Sequence, residues 1–282
     1  MEATIYDSRP LAHHLFTELR HEAQRFQQQH RRAARLAQVI VGQADAAEVY
    51  RQQLEHACYH IGMNSLTLAL PFATTEAELR QYLITLMRDP TINGVLLLLP
   101  LPEHIRQQAI TDVFPVEKDV DGLGPRNAGN LLLGFPNFVP STADALLQVI
   151  RDARIPVQGK HAVIIGRSNI GGKPIALALL GQDATVTICH SRTKDLARIT
   201  RSADIVVVSV GRPHFLTAEM LKPGAIVFDA GINPVEGRIV GDVDAEHVRE
   251  VASFLTPVPG GLGPIIHLTL LRHTLLGPGI PE

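Results

Sequence analysis

The stretch Gly166-Arg167-Ser168-Asn169-Ile170-Gly171-Gly172-Lys173-Pro174 decides how this chain folds, because it follows directly on the apolar segment His161–Ile165. It has the pattern G-x-S-x-x-G, a variant of the dinucleotide-binding fingerprint in which Ser168 takes the place of the middle glycine. The first glycine permits a tight turn, and the last permits close packing of the helix on the strand. The helix beginning near Lys173-Pro174 offers free N–H groups and positive potential to a phosphate. The stretch therefore predicts a strand, turn and helix that bind a dinucleotide. A glycine-rich turn without a nucleotide fits so short a pattern as well.

The segment after this helix distinguishes between the two nicotinamide cofactors. A site for NAD usually carries an Asp or Glu about 20 residues after the turn, bonded to the ribose. Here the predicted strand Thr185–Cys189 runs into His190-Ser191-Arg192-Thr193, which contains no acid. Arg167 and Arg192 are both placed to meet a ribose phosphate, to which a guanidinium donates two hydrogen bonds at once. The sequence therefore favours NADP over NAD.

Strand-like and helix-like segments alternate along the chain, which predicts an α/β protein. Strands are predicted at Leu36–Val41, Leu66–Leu70, Gly94–Leu99, His161–Ile165, Thr185–Cys189, Asp204–Val210 and Ala225–Asp229. Helices are predicted at 10–33, Ala46–Ile61, Thr75–Arg88, Thr142–Asp152, Lys173–Leu180 and about Pro264–Leu275. The region 122–140 is rich in Gly, Pro and Asn and indicates a hinge. We predict one domain at 1–137, a second at 138–255, and a return of 256–282 to the first through the last, apolar helix.

Composition excludes several classes of protein. The chain has 282 residues, of which 45% are hydrophobic and 19% charged, and its net charge is −2. This is an ordinary globular mixture with no charge excess that would favour nucleic acid. We expect no secretory signal at the start, and apolar runs such as Val95–Leu99 are far shorter than the ~20 residues that span a bilayer. Cys58 and Cys189 lack metal-ligand spacing and are predicted to be buried free thiols. We expect a cytoplasmic protein without a metal.

Several further segments, in the same order and over almost the entire chain, resemble the methylenetetrahydrofolate dehydrogenase/cyclohydrolase family. Besides the glycine-rich turn, they are Val41-Gly42 with the helix of Tyr50, Pro100-Leu101-Pro102, 118–122 (KDVDG), 229–233 (DAGIN), 241–243 (GDV) and 256–264 (TPVPGGLGP). The resemblance implies a homodimer whose subunits have a folate-binding catalytic α/β domain and a Rossmann-like NADP-binding domain. It implies that a tetrahydrofolate derivative binds between these domains. It also implies oxidation of methylenetetrahydrofolate to the methenyl form, followed by hydrolysis to formyltetrahydrofolate.

The resemblance assigns roles to residues by their position. Tyr50 resembles the aromatic residue that packs on the folate rings, and Asp121 the carboxylate that reads the polar edge of the pterin. The substrate-binding set implied in this way is Tyr50, Leu54, Leu98, Pro100, Asp121, Gly260, Gly261 and Pro264. The cofactor-binding set is Gly166, Arg167, Ser168, Gly171, Ser191, Arg192, Gly211 and Ile232. Considered without the family, a Tyr on an amphipathic helix is a core or rim residue, and an Asp in a glycine-rich loop is a turn residue.

Four positions depart from the family pattern, and each departure removes a polar group. Leu54 stands where the family has Lys, Leu98 where it has Gln, Ala47 where it has Ser, and Ile266 where it has Thr. We expect Ala47, Leu54 and Leu98 to line one apolar patch of the folate cleft, although both leucines also fit ordinary core positions.

The catalytic consequence follows from the role of the lysine. In the family this lysine is thought to polarise the reacting carbon–nitrogen centre and to act as an acid/base for water attack. Losing one general acid/base typically costs ~10²–10⁴-fold in rate, so the cyclohydrolase activity is expected to be very weak or absent. Hydride transfer needs less from the protein, because the nicotinamide and the substrate carbon carry the chemistry. The catalytic residues of this chain are therefore left unassigned.

Three functions remain open at this point. The first is an NADP-dependent dehydrogenase with weak or lost cyclohydrolase activity. The second is a folate-dependent transferase that passes the methylene carbon to a small-molecule amine in a dry cleft. The third is a non-catalytic folate-binding paralogue. His56 and His60 lie off the face of Leu54 and are expected at the surface, and Arg51 is left open as a substitute for the missing base.

Overall fold

The computed structural model describes residues 2–42 and 45–277. The chain divides into two compact units, which we name by their sheets. The six-stranded unit contains the chain up to Ala12 together with Thr142–Ile266. The three-stranded unit contains His13–Ser141 and the chain from His267 onward. The domain boundaries inferred from the sequence stay a prediction.

The larger sheet is parallel throughout, in the order β6-β5-β7-β8-β11-β1. Its strands are β1 (Thr4–Ile5), β5 (His161–Ile165), β6 (Thr185–Cys189), β7 (Ile205–Val208), β8 (Ile226–Asp229) and β11 (Phe254–Leu255). All four residues of β7 are buried, as are the last four of β5, which suits strands covered on both faces. The helices of this unit are α6 (Ser141–Asp152), α7 (Gly172–Leu180), α8 (Leu196–Thr200), α9 (Ala245–Val248) and a 3-10 turn, Ala218–Met220. An antiparallel hairpin, β9 (Asn233–Val235) and β10 (Arg238–Val240), lies outside the sheet.

The smaller sheet has β2 in its centre, parallel to β3 and β4. These strands are β2 (Arg35–Val41), β3 (Asn64–Leu70) and β4 (Gly94–Leu97). The helices are α1 (Arg9–His30), α2 (Asp45–Ile61), α3 (Glu76–Arg88), α4 (Gln107–Thr111), α5 (Pro125–Leu133) and α10 (Leu262–Leu276). A capping box at Thr75 starts α3, and Gly134 at φ 86° ends α5.

The two faces of the smaller sheet are covered by different helices. Val39 and Leu97 share a buried cluster with Leu83 of α3, so this face packs against α3. Gln38 is paired with Thr67 and Leu96 and points to the other face. Arg51 of α2 donates to Thr67 Oγ1 at 3.0 Å, which places α2 on the face of Gln38.

The predicted α/β class is confirmed, and every strand and helix predicted from the sequence has a counterpart. Their ends move by a few residues: the strand from Gly94 ends at Leu97, and the strand predicted over 204–210 covers only Ile205–Val208. Short elements such as β1, β11 and the β9–β10 hairpin were not predicted. The part of α10 from His267 onward belongs to the three-stranded unit, whereas the start of α10 up to Ile266 belongs to the six-stranded unit. The return of 256–282 to the first domain stays a prediction. Within the described residues no helix combines the length and the apolar character needed to span a membrane.

Candidate active site

The glycine-rich turn joins β5 to α7, and its geometry requires glycine. Gly166 has φ +130°, and a Cβ there would collide with the carbonyl oxygen of Ser209. A Cβ on Gly172, at the start of α7, would collide with the carbonyl oxygen of Gly166. The turn therefore holds strand and helix as close together as the fingerprint predicts.

The predicted cofactor residues all lie at one edge of the larger sheet. Gly166 follows β5, Ser191 and Arg192 follow β6, Gly211 follows β7, and Ile232 follows β8. Because these strands are parallel, the residues after them share the carboxyl edge, and the switch point of the topology lies where β5 is flanked by β6 and β7. Ligands of open α/β sheets bind at this position.

The charges and donors at this edge suit a phosphorylated ligand. Arg167 and Arg192 are exposed, and within residues 2–42 and 45–277 neither guanidinium forms an ion pair with a carboxylate. Ser168 Oγ accepts hydrogen bonds from the amides of Gly171 at 3.1 Å and Gly172 at 3.4 Å, which orders the turn below the start of α7. The residues present therefore fit a dinucleotide with a ribose phosphate.

Two buried carboxylates fix the loops that carry Gly211 and Ile232. Asp242 accepts from the amides of Val210, Gly211 and Arg212 at 2.6, 3.0 and 2.8 Å. Asp229 accepts from the amides of Gly231, Asp242 and Val243 at 2.9, 3.0 and 2.9 Å. Burial raises the pKa of Asp229 to about 6, against the lowering effect of these hydrogen bonds. The sequence identified both segments as family motifs without predicting that their carboxylates support the cofactor loops.

Tyr50 and Asp121 belong to the three-stranded unit, where the charge of Asp121 acts on the Tyr50 phenol. Burial raises the pKa of the Tyr50 phenol well above its usual range, and the charge of Asp121 raises it further. Asp121 Oδ1 accepts from Ser141 N at 3.0 Å and Ser141 Oγ at 2.5 Å. Burial also raises the pKa of Asp121, to about 6. The predicted aromatic and carboxylate positions are thus brought together in one unit.

The loop that carries Asp121 is fixed by its neighbour Asp119. Asp119 Oδ1 accepts from Leu123 N at 2.9 Å, and Oδ2 accepts from Gly124 N and Asn127 Nδ2, both at 2.8 Å. The carbonyl of Val120 lies 2.7 Å from His273 Nδ1 on α10. These contacts fix the backbone of the loop that carries Asp121.

The four side chains predicted to depart from the family pattern are apolar and buried. The exposed fractions of Leu54, Leu98, Ala47 and Ile266 are 0, 5, 7 and 7%. Leu98 follows Leu97, which faces α3, so Leu98 points to the face that α2 covers. Leu54, on α2, therefore lies on the same side of the sheet as Leu98. That these leucines line the folate site stays a prediction.

The other predicted folate residues lie in loops. Pro100 is exposed just after β4, in a cis peptide with Leu99. Gly260, Gly261 and Pro264 belong to the six-stranded unit, where the carbonyl of Gly260 accepts from Ser8 Oγ at 2.5 Å. Gly260 has φ +101°, and a Cβ on Gly261 would collide with the carbonyl of Pro257, so this loop also requires glycine.

The polar residues considered as substitutes for the missing lysine are occupied or exposed. His56 and His60 are exposed, as predicted, and their Nε2 atoms lie 2.9 Å apart. Arg51 forms ion pairs with Glu48 and Glu55, both at 2.7 Å. Cys58 and Cys189 are buried and free, as predicted. Within the described residues, no group of three or more His, Cys, Asp or Glu side chains is placed to hold a metal ion.

One polar residue beside the predicted folate site was missed. The imidazole of His267 on α10 lies against the Tyr50 ring, with centroids 4.6 Å apart and planes inclined by 63°. Burial lowers the pKa of His267 to about 4. The available signal was a single histidine in the otherwise apolar run from Ile265 to Leu268.

The glycine-rich turn, the parallel sheet and the free arginines at its carboxyl edge define a dinucleotide-binding α/β protein of the Rossmann class. Comparison with known proteins gives the family. Residues 6–121 match the tetrahydrofolate dehydrogenase/cyclohydrolase catalytic domain, and residues 140–277 match the NAD(P)-binding domain of the same family. The chain belongs to the tetrahydrofolate dehydrogenase/cyclohydrolase family, and the predicted resemblance is confirmed.

Individual relatives match over nearly the full length. A bifunctional protein FolD from Halalkalibacterium halodurans is 44% identical over 275 residues, covering 98% of this chain and 98% of the relative. The crystal structure of the bifunctional FolD enzyme from Campylobacter jejuni is 40% identical, with a TM-score of 0.93 over 97% of this chain and 98% of that one. The Trypanosoma brucei enzyme, solved with NADP cofactor and an inhibitor, is 35% identical, with a TM-score of 0.93 over 98% of this chain and 97% of that one.

Proposed function

We propose that this chain is an NADP-dependent methylenetetrahydrofolate dehydrogenase in which hydrolysis of the methenyl product is weak or lost. The observation that supports this proposal is a contrast between the nucleotide-binding turn and the positions where the family has Lys and Gln. The nucleotide turn keeps the glycines that its geometry demands. The positions of the family's Lys and Gln hold Leu54 and Leu98, which are buried and cannot exchange a proton.

NADP would be held at the carboxyl edge of the six-stranded sheet. Gly166, Ser168 and Gly171 would leave room for the pyrophosphate near the start of α7, and Arg167 and Arg192 would bind the ribose phosphate. Ser191, Gly211 and Ile232 would line the same edge. The bound cofactor would supply the hydride acceptor. The carboxylates of Asp229 and Asp242 would keep the loops around it in place.

The folate would be oriented by Tyr50 and Asp121. The partly buried ring of Tyr50 offers a flat apolar surface to the fused rings of a pterin. Both hydrogen bonds from Ser141 go to Oδ1 of Asp121, so Oδ2 is the oxygen left to accept from pterin N–H groups. A carboxyl with a pKa of about 6 is mostly ionised at neutral pH and suits this role.

Leu54 and Leu98 would affect hydrolysis more than dehydrogenation. Water attack on the methenyl carbon needs a group that accepts a proton, and a leucine side chain has none. Positioning of substrate against cofactor, by contrast, can sustain hydride transfer without an acid or base. The loss of the base is expected to cost ~10²–10⁴-fold in the hydrolytic rate.

The test compares two rates on one preparation. NADPH formation from methylenetetrahydrofolate and the decay of methenyltetrahydrofolate are followed by absorbance, with the Campylobacter jejuni enzyme assayed in parallel. We expect folate-dependent NADPH formation, with hydrolysis at least about 100-fold slower than in that relative. Hydrolysis as fast as in the relative would refute the proposal.

Other outcomes identify the alternatives. Consumption of a supplied amine without NADPH formation would identify a methylene transferase, a function that the apolar replacements also favour because a dry site protects a reactive methylene from water. Folate binding without any turnover would identify a non-catalytic paralogue.

We also propose a cytoplasmic homodimer that does not bind nucleic acid. The family resemblance supports the dimer and the net charge of −2 supports the last point; light scattering on the purified protein tests the dimer.

A further inference from the structure

A second proton-handling group stands beside the predicted folate position, on a different helix from the missing lysine. His267 is the sixth residue of α10 (Leu262–Leu276), one position after Ile266, and its imidazole packs edge-on against the Tyr50 ring at 4.6 Å. Both residues are partly buried rather than sealed in the core, and both belong to the three-stranded unit. A polar ring thus lies where Tyr50 is expected to meet the folate.

We propose that His267 is a catalytic residue that accepts the proton of the attacking water during methenyl-folate hydrolysis. This hydrolysis is the slow reaction expected to remain in a chain that has Leu54 in place of the family's lysine. This inference rests on the proposed function, since the folate position is taken from it. The contact with Tyr50 fixes the position of the imidazole. The replacement of the lysine by Leu54 removes the base that the family has at that position on α2.

The charge state of the imidazole fits this role. Burial lowers the pKa of His267 to about 4, so the ring is neutral at physiological pH and has a nitrogen lone pair to accept a proton. Among the described residues, Tyr50 of α2 is the titratable side chain in ring contact with His267, and Asp121 in the loop before α5 and His273 on α10 are titratable groups of the same unit. Asp121 acts on Tyr50, and His273 is engaged with the carbonyl of Val120. Of these groups, the His267 ring is the one in contact with the Tyr50 ring.

The proposed step balances without a further reactant. Water adds to the methenyl carbon, a C–O bond forms, and the electron pair of the C=N bond moves to nitrogen. One water proton passes to the imidazole of His267. The imidazolium then returns this proton to the folate nitrogen whose bond to carbon breaks. The remaining hydroxyl proton leaves to solvent as the formyl carbonyl forms.

The low basicity of His267 also explains why hydrolysis should be slow rather than absent. General bases work best when their pKa lies near the operating pH. An imidazole with a pKa of about 4 is a weaker base than this optimum. A histidine that only packs against Tyr50 would make no contribution of this kind, so packing and catalysis predict different behaviour.

Two variants distinguish these roles. His267→Gln removes the base and keeps a polar side chain, whereas His267→Phe removes the base and keeps an aromatic ring against Tyr50. The measured quantity is the ratio of methenyl hydrolysis to NADPH formation, and circular dichroism checks that each variant is folded. We expect both variants to lower the ratio at least about tenfold, which is less than the usual ~10²–10⁴-fold of a general base because the imidazole is weakly basic. His60→Gln, an exposed histidine on α2, is the matched control and should keep the wild-type ratio.

The pH profile supplies an independent readout. Protonation of Asp121 near pH 6 should weaken folate binding equally in the wild type and both variants, so the rates are compared at saturating folate. Under this condition wild-type hydrolysis should fall further as the pH drops towards about 4, where His267 becomes protonated, and the residual hydrolysis of both variants should lack this second fall. A wild-type ratio in His267→Phe would show that the ring only packs and would overturn the proposal, as would a wild type that hydrolyses no faster than the uncatalysed reaction. If the wild type hydrolyses as fast as the Campylobacter jejuni enzyme and both variants lose this activity, the role of His267 stands and the proposed loss of cyclohydrolase fails.

Discussion

Restoring the family's polar pair by Leu54→Lys with Leu98→Gln should restore hydrolysis at a cost in stability. The new ammonium would act as the acid/base that leucine cannot provide, and the new amide on the same side of the sheet would be its hydrogen-bond partner. The expected gain in methenyl hydrolysis is about 10²–10⁴-fold, the usual contribution of one general acid/base.

The stability cost follows from the burial of Leu54, whose exposed fraction is 0%. The single variant Leu54→Lys places an unpartnered amino group in the core. If this group is charged, the free energy of unfolding should fall by about 3–5 kcal/mol. A domain of this size loses about 2–4 °C in Tm per kcal/mol, so the single variant should melt about 6–20 °C lower. A hydrogen bond from the lysine to Gln at position 98 should recover about 1.5–3 kcal/mol in the double variant.

The assay measures methenyl-folate decay, NADPH formation and thermal unfolding for the wild type, both single variants and the double variant. Leu54→Met is the matched control, since it keeps the volume and adds no proton donor. Its stability should change by less than about 1.5 kcal/mol, and its hydrolysis should stay at the wild-type rate.

One result would refute the reasoning. If the double variant is folded and binds folate but hydrolyses no faster than Leu54→Met, then positions 54 and 98 do not meet the reacting carbon. The loss of stability without a gain in rate would then identify both leucines as core residues only.

Three further predictions concern the nucleotide turn, the cofactor phosphate and the buried carboxyl. Gly166→Ala should cost at least about 1–3 kcal/mol of stability in denaturant titrations, because of its φ of +130° and the collision of a Cβ with the carbonyl of Ser209, and should weaken NADP binding at least about tenfold in calorimetric titrations. Gly129→Ala, inside α5 where a Cβ meets open space, should leave NADP binding unchanged and add up to about 1 kcal/mol of stability. Arg192→Ser should lower kcat/KM for NADP about 10- to 100-fold with little effect on NAD, since a charged hydrogen bond contributes about 1.5–3 kcal/mol, and an equal loss for both cofactors would contradict its phosphate role. Asp121 has a pKa of about 6 in the folded chain and 3.8 as its ordinary value, so it favours folding in acid and this stability is lost as the pH rises from about 4 to about 6. Asp121→Asn should therefore gain up to about 3 kcal/mol relative to the wild type over this window in denaturant titrations, and a difference independent of pH would disprove the assignment.

Local sequence patterns were sufficient to predict those elements whose residue pattern is complete within one short segment. The turn at Gly166–Gly172 could be predicted because its glycines follow the spacing of the dinucleotide fingerprint. The demand at Gly172 comes from Gly166 within the same turn, whereas the demand at Gly166 comes from Ser209 on the neighbouring strand's loop. The strands β5 and β7 could be predicted because burial on both faces leaves a continuous apolar run. The two-residue strands β1 and β11 could not be predicted, since such short segments have no period of their own and pair only through neighbours distant in sequence.

The sequence by itself determined the α/β class, the nucleotide turn and the family, because each of these follows from residues close together in the chain or from motifs in a fixed order. Only the tertiary structure decided that His267 packs against Tyr50, that the charge of Asp121 acts on the same residue, and that Asp229 and Asp242 fix the loops that carry Gly211 and Ile232. These contacts join residues up to 217 positions apart, as with Tyr50 and His267. Such proximity results from how helices pack on sheets, and no local pattern in the chain encodes it.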